Sequence, residues 1–224
     1  MVERHFDDDL KSLKNRLLNM GALVEERVHL AVQALIERRL ETAEEVARGD
    51  QEVNDLQIEI DDRCLKLLAL QQPMATDLRL ITAAMKINAD LERIGDQAVN
   101  IAENAVKILA HPPLKPLMDI PRMAEMAEGM TRDSLEAFVR RDAALARKVL
   151  SQDDEVDQLK DTVFRVLLTY MMADPGTIER ALALILVSRN LERIADHATN
   201  IAEDVIFVVE ARDVRHHHEE QTTS

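Results

Sequence analysis

A chain of 224 residues with 2% aromatic residues, no Trp, five Gly and six Pro can fill two modest cores but is poor in the residues that sheets and turns need. Ala, Leu, Ile, Val and Met supply most of its apolar 46%, which points to an all-helical protein. The formal charge of −14 excludes a direct binder of nucleic acid or anionic lipid, since no local basic patch offsets it. Apolar residues spaced by three and four, from Phe6 through Leu10, Leu13, Leu17, Met20, Val24, Val28, Ala31, Leu35 and Ala43, predict a first helix from about Phe6 to Ala47. Gly49-Asp50 breaks it, with Asp50 as N-cap of a second helix from about Glu52 to Gln71, which Pro73 ends. A third helix is expected from about Ala75 to Ala110. His111-Pro112-Pro113-Leu114-Lys115-Pro116 then reads as a linker. The plan recurs with helices from about Pro121 to Leu150, Asp154 to Met172 and Thr177 to Arg212, the last two separated by Asp174-Pro175-Gly176.

The recurrence is also one of sequence. Leu91-Glu92-Arg93-Ile94-Gly95-Asp96-Gln97-Ala98-Val99-Asn100-Ile101-Ala102-Glu103 returns one hundred residues later, with Ala195, His197 and Thr199 in place of Gly95, Gln97 and Val99. Upstream, Asp50-x-Glu52-Val53-x-x-Leu56 matches Asp153-x-Glu155-Val156-x-x-Leu159 at an offset of 103. The chain therefore divides into a first unit over 1–110, a linker over 111–117, a second unit over 118–213 and a polar tail over 214–224. The expected architecture is two tandem, pseudo-symmetric, antiparallel three-helix bundles, six helices in all.

Both copies keep a polar row, Glu-x-x-x-Asp-x-x-x-Asn-x-x-Glu. At about 100° per residue Glu92, Asp96, Asn100 and Glu103 fall within roughly 80° of one another, opposite Leu91, Ile94, Ala98, Ile101 and Ala105. Carboxylates four apart repel unless a cation sits between them, so Glu92, Asp96 and Asn100, with Glu192, Asp196 and Asn200, are candidate metal ligands. On the middle helices Asp55 and Glu59 (with Asp62 beyond), and Asp157 and Asp161, are spaced to supply further ligands. An oxygen-only set favours hard ions such as magnesium, manganese or iron over structural zinc. A solvated acidic face, with Arg93 and Arg193 as partial counter-charges, is the plain competing explanation.

Other residues are explained more simply. Asp90, near the apolar edge of its helix and matched by Asn190, reads as a hydrogen bond between packed helices. Asp77 reads as a first-turn acid favoured by the helix dipole, and His197 as a surface residue or an extra ligand of the second site. Glu26-Arg27-Val28-His29 is half of a di-iron motif whose second half is missing. Cys64, among Leu65, Leu67 and Leu68, reads as a small buried hydrophobe. No Gly-rich phosphate loop, nucleophile elbow or glycosidase-like acid pair is visible, which argues for a protein that is not an enzyme. The N-terminal Met-Val-Glu-Arg-His-Phe lacks the basic and apolar regions of a secretory signal, and the apolar run Ala181 to Val187 is too short to span a bilayer. A soluble, cytoplasmic protein is expected.

The segment Gln72-Pro73-Met74-Ala75-Thr76-Asp77-Leu78-Arg79, the stretch from Lys86 to Glu103 and the closing Val208 to His216 closely resemble the PhoU family of phosphate-signalling proteins. The resemblance implies the doubled three-helix fold and a negative regulator of phosphate uptake and of the phosphate regulon. It implies an adaptor on the cytoplasmic side, between the ATPase subunit of a phosphate ABC transporter and a sensor histidine kinase, and acting as a homodimer. It implies iron, zinc, manganese or magnesium ions at the motifs that map to Glu92, Asp96, Glu192 and Asp196. The second half departs from the pattern where Asp174-Pro175-Gly176-Thr177-Ile178-Glu179-Arg180 lacks the Asp-Leu-Arg of the first, so the two sites are not expected to be equivalent. Two other readings stand beside this one: a metal-free acidic interaction module, and a metal-dependent bundle enzyme.

Overall fold

A computed structural model describes residues 2–49, 51–114, 117 and 119–214. Among them all regular structure is helical: α1 (Val2–Glu37), α2 (Leu40–Ala47), α3 (Gln51–Gln71), α4 (Ala75–Leu109), α5 (Ile120–Arg140), α6 (Ala143–Leu150), α7 (Asp153–Ala173) and α8 (Ile178–Glu210), with a 3-10 turn at Pro175–Thr177 before α8. The protein is all-α, built from two tandem three-helix bundles in which the first rod of each is broken near its end.

That break corrects the expected run from Phe6 to Ala47. Arg38 adopts a left-handed φ of 57°, and the Arg39 N–H turns back to the carbonyl of Ala34 at 2.9 Å, a closure that ends a helix. The Arg38 guanidinium then donates to the carbonyls of Leu109 and His111 at 3.2 and 2.6 Å, covering the last turn of α4. The equivalent break between α5 and α6 corrects the expected rod from Pro121 to Leu150. Arg141 has φ 55°, and the Asp142 carboxylate accepts from the N–H groups of Ala144 and Leu145 at 2.9 and 3.0 Å as an N-cap. The predicted cap at Asp50, the linker's Lys115 and Pro116, and the tail beyond Val214 lie outside the described residues.

The helical phase of the duplicated segment holds. Leu91, Ile94, Ala98, Ile101 and Ala105 are buried, as are Leu191, Ile194, Ala198 and Ile201. α4 is the central helix of the first half, packed on α1, α2 and α3, and α8 is central to the second, packed on α5, α6 and α7. The two central helices also pack on each other more extensively than any other pair. They run antiparallel, because Lys86 meets Asp204 and Asp90 meets His197. α1 crosses α5 where Gly21 faces Leu135; a Cβ at Gly21 would fall 2.1 Å from Leu135 Cδ1, so glycine permits the close approach. One continuous apolar core runs through both halves.

Gly95 is different. A Cβ there would meet Val53 and Val24 methyls at 3.4 and 3.6 Å, ordinary contact distances, and its counterpart Ala195 is buried without strain. Gly95→Ala is therefore expected to stabilise the chain by about 0.5–1 kcal/mol through the unfolded-state entropy it removes. A rise of roughly 2–4 °C in melting temperature would show it; a fall would mean that the Val53 contact cannot relax.

Candidate functional site

The offset of 103 between α3 and α7 decides which side chains face the acidic row. In the second half Asp157 and Asp153 lie on the flank of α7 that meets α8, one turn apart, beside Glu192 and Asp196. Lys160 stands between them, its Nζ 2.7 Å from Asp157 Oδ1 and 3.0 Å from Glu192 Oε1. Those hydrogen bonds, Asp157 first, hold the ammonium well above its ordinary range. Burial against α7, then the charges of Glu192, Asp153 and Asp157, push Asp196 up to about 6, although the residue as a whole is exposed. Asp153 is raised as well, by burial and then by Asp157, Asp154 and Glu192. The cluster holds more negative charge than one lysine can neutralise.

In the first half the same positions are occupied differently. Glu92 and Asp96 border a hollow of about 140 Å³ completed by Gly49, Val53, Asn54, Gly95 and Val99. Asn54 is the counterpart of Asp157, Gln57 that of Lys160, and Asp50, outside the described residues, that of Asp153. Burial and the charge of Asp96 raise Glu92. Arg93 lies 3.5 Å from Glu92 and 3.8 Å from Asp96, with most of its side chain in solvent.

Several expected ligands sit elsewhere. Taking buried Val53 and Ile60 as the inward direction, Asn54 lies about 100° round α3 whereas Asp55, Glu59 and Asp62 lie about 180–240° round, on the far side. Asp55 accepts from Gln51 at 2.9 Å; Glu59 accepts from Arg63 and pairs with Arg16 of α1 at 3.2 Å. Asp161, the other middle-helix candidate, is exposed, one step further round α7 than Asp157. Asn100 and Asn200 stand about 80° round from Glu92 and Glu192, which turns them toward the partner helix. Asn200 donates to Asp90 at 3.4 Å, and Asn100 does not line the hollow. The residues that spacing alone missed are Asn54, Asp153 and Lys160; carrying the 103-residue register through the middle helices would have found all three.

Asp90 makes the expected bond between packed helices, 2.9 Å to Nδ1 of His197. His197 is thus neither a free surface residue nor aimed at the second acidic cluster. Gln97 has no such partner, because Asn190 stands where an acid would be, and it donates instead to the Arg93 carbonyl at 3.3 Å. Of the di-iron half-motif, His29 reaches Glu128 of α5 at 3.6 Å across the two halves. Cys64 is buried, which with the nearby charge of Asp61 pushes its thiol up to about 12. Among the described residues no three His, Cys, Asp or Glu side chains converge closely enough to hold an ion as they stand. Glu192 and Asp157 are instead bridged by the Lys160 ammonium.

Comparison with known proteins identifies the scaffold. The PhoU domain model matches residues 17–105 and again 120–205. The chain belongs to the PhoU family. It is 42% identical over 216 residues to the phosphate-specific transport system accessory protein PhoU homolog of Pseudomonas putida, covering 96% of this chain and 84% of that one. It is 44% identical over 210 residues to the homolog of Aquifex aeolicus, covering 94% and 95%. The crystal structure of PhoU from Pseudomonas aeruginosa superposes with a TM-score of 0.88 at 40% identity, over 92% of this chain and all of that one. The phosphate transport system regulatory protein PhoU from Streptococcus pneumoniae superposes with a TM-score of 0.86 at 29% identity, over 93% and 99%. Curated PhoU relatives are named as accessory and regulatory proteins of phosphate transport, and the family places this chain among such proteins rather than among enzymes. No helix among the described residues is long and apolar enough to cross a membrane.

Proposed function

We propose that this chain is a cytoplasmic adaptor that binds divalent cations at its two acidic clusters and restrains phosphate uptake and the phosphate regulon. Its contacts would be with the ATPase subunit of a phosphate ABC transporter and with a sensor histidine kinase, with the chain working as a homodimer. The observation that carries the metal part is the crowding of Glu192, Asp196, Asp153 and Asp157, mirrored by Glu92 and Asp96, with carboxyls raised above their usual range at both places. An oxygen-only donor set holding surplus negative charge fits a hard divalent or trivalent cation, such as magnesium, manganese or iron, better than a soft one. Glu92 and Asp96, with Asn54, would hold an ion in the first half; Glu192 and Asp196, with Asp153 and Asp157, would hold one in the second. The ion would supply charge neutralisation and a fixed α7–α8 seam.

The lysine makes the two sites unequal. Lys160 already satisfies Asp157 and Glu192, so an incoming cation must displace it, whereas Gln57 offers no such competition in the first half. Lys160→Gln is expected to tighten manganese binding at the second site by roughly tenfold, equivalent to the loss of one competing ion-pair contact of about 1.4 kcal/mol. Titration calorimetry resolving the two sites checks this; unchanged affinity would place the ion away from Lys160.

Elemental analysis after purification without chelators tests the metal reading: Glu92→Gln/Asp96→Asn and Glu192→Gln/Asp196→Asn should each lower the bound metal. Deleting the gene tests the regulatory reading, which fails if phosphate uptake and regulon expression stay unchanged. A metal-free interaction module would instead bind its partners with strong salt dependence and no response to chelator.

A further inference from the structure

The seam between α7 and α8 carries an apolar face that the fold does not require. Lys160 reaches across this seam to Glu192, so the flank of α7 on which it lies adjoins α8. Phe164, Leu168 and Met172 follow Lys160 at steps of four, each step turning about 40° from the α8 side toward solvent, and are 48%, 42% and 79% exposed. On α8 the row Ile178, Leu182 and Leu186, also at steps of four, turns from the α7 side at Ile178 toward the α4 side at Leu186 and is 42%, 50% and 45% exposed. The duplication provides an internal comparison. At the matching positions the first half carries Asp61, Leu65 and Ala69 on α3, and Leu78, Thr82 and Lys86 on α4. Asp61 accepts from Asn88, Thr82 bonds its own helix and Lys86 pairs with Asp204. The same scaffold therefore forms with polar groups at three of these places and with Leu65, Ala69 and Leu78 at the other three. At these six positions the second half exposes six large apolar side chains where the first exposes two, Leu65 and Leu78, and such an enrichment is what a binding surface looks like.

We infer that the α7–α8 seam docks a helix of a partner protein that carries an apolar stripe ending in a basic cluster. The apolar rows give that helix a groove for side chains at steps of three and four. At its far end the seam runs into Asp153, Asp157, Glu192 and Asp196, whose charge Lys160 only partly offsets; in the metal-free chain lysines or arginines at one end of the docked helix complement it, in competition with a bound cation. The chain's net charge of −14 disfavours the anionic membrane that would also take an apolar face. The inference rests on the adaptor reading and names the surface through which one partner would be held.

The test uses the full chain and a synthetic helical peptide with leucines at steps of three and four and four lysines at one end. Its counterpart has glutamates in place of the lysines. Fluorescence anisotropy should show the lysine peptide binding, and Leu168→Lys and Leu182→Lys should each weaken it roughly tenfold or more. Leu65→Lys and Leu78→Lys, at the matching places of the first half, should leave it unchanged, and Asp157→Asn should flatten its dependence on salt. The glutamate peptide should bind far more weakly. Equal binding by wild type and both second-half variants overturns the inference. So does binding to vesicles of phosphatidylglycerol and phosphatidylethanolamine that the same variants abolish, or a dimer, seen by light scattering, that they dissociate. Unfolding curves matching wild type confirm that the variants fold. The adaptor reading fails separately, if gene deletion leaves phosphate uptake unchanged while the peptide result stands.

Discussion

Excess Mn²⁺ is expected to raise the melting temperature of the wild-type chain, and the variant Glu92→Gln/Asp96→Asn/Glu192→Gln/Asp196→Asn is expected to show no rise. A cation at one hundred times its dissociation constant stabilises the folded state by about 2.7 kcal/mol per site, which for a chain of this length is roughly 5–10 °C. In chelator the order reverses at the second site, and pH shows why. Asp196 titrates at about 6 when folded against an ordinary 3.8, so its ionisation costs the folded state stability. That cost is complete above about pH 6, shrinks as the pH falls through the folded value, and is gone below the unfolded one. Asp196→Asn removes it and should stabilise the metal-free protein at pH 7.5 by about 1 kcal/mol, an amount already reduced for the water that reaches this exposed carboxyl. The advantage of the variant should fade toward pH 4. Thermal unfolding with and without Mn²⁺ across that range measures both effects. An equal rise in the fourfold variant would remove the acidic clusters as metal sites.

Leu191→Ala should cost about 3–5 kcal/mol, while Glu192→Gln next to it should leave the metal-free protein at least as stable as wild type. Leu191 is fully buried on α8, the helix on which α4, α5, α6 and α7 all pack, and a truncation there leaves a cavity that rigid neighbours cannot fill. The melting temperature should fall by roughly 10 °C. Glu192 faces the seam, where removing one charge eases the crowding on Asp196 and Asp153 but also releases a Lys160 hydrogen bond. A comparable loss in both variants would mean that the acidic row is structural and not kept for a ligand.

These contrasts trace what each level of organisation decides. The residue order by itself determined the helices, the duplication and the phase of Leu91, Ile94 and Ala98 against Glu92 and Asp96, because helix formation and amphipathic periodicity are local. It also carried the family resemblance and the bond from Asp90 to a neighbouring helix, since an acid at an apolar edge must find a partner when it is packed. It did not show the ends of α1 and α5. Arg38 and Arg141 look like ordinary helix residues, and the turn at Arg38 forms where its guanidinium can cover the carbonyls at the end of α4. Acid spacing picked only one of the residues that face the row, Asp157. Asp55 and Glu59 have the right separation but lie on the wrong side of α3, while Asn54 and, in the second half, Asp153, Asp157 and Lys160 face the row. Spacing along one helix fixes which side chains share a face; only packing fixes which face meets another helix. The sequence already set the two halves apart; the tertiary structure decided how the two acidic clusters differ, one closed by a lysine and one left as a hollow beside an asparagine.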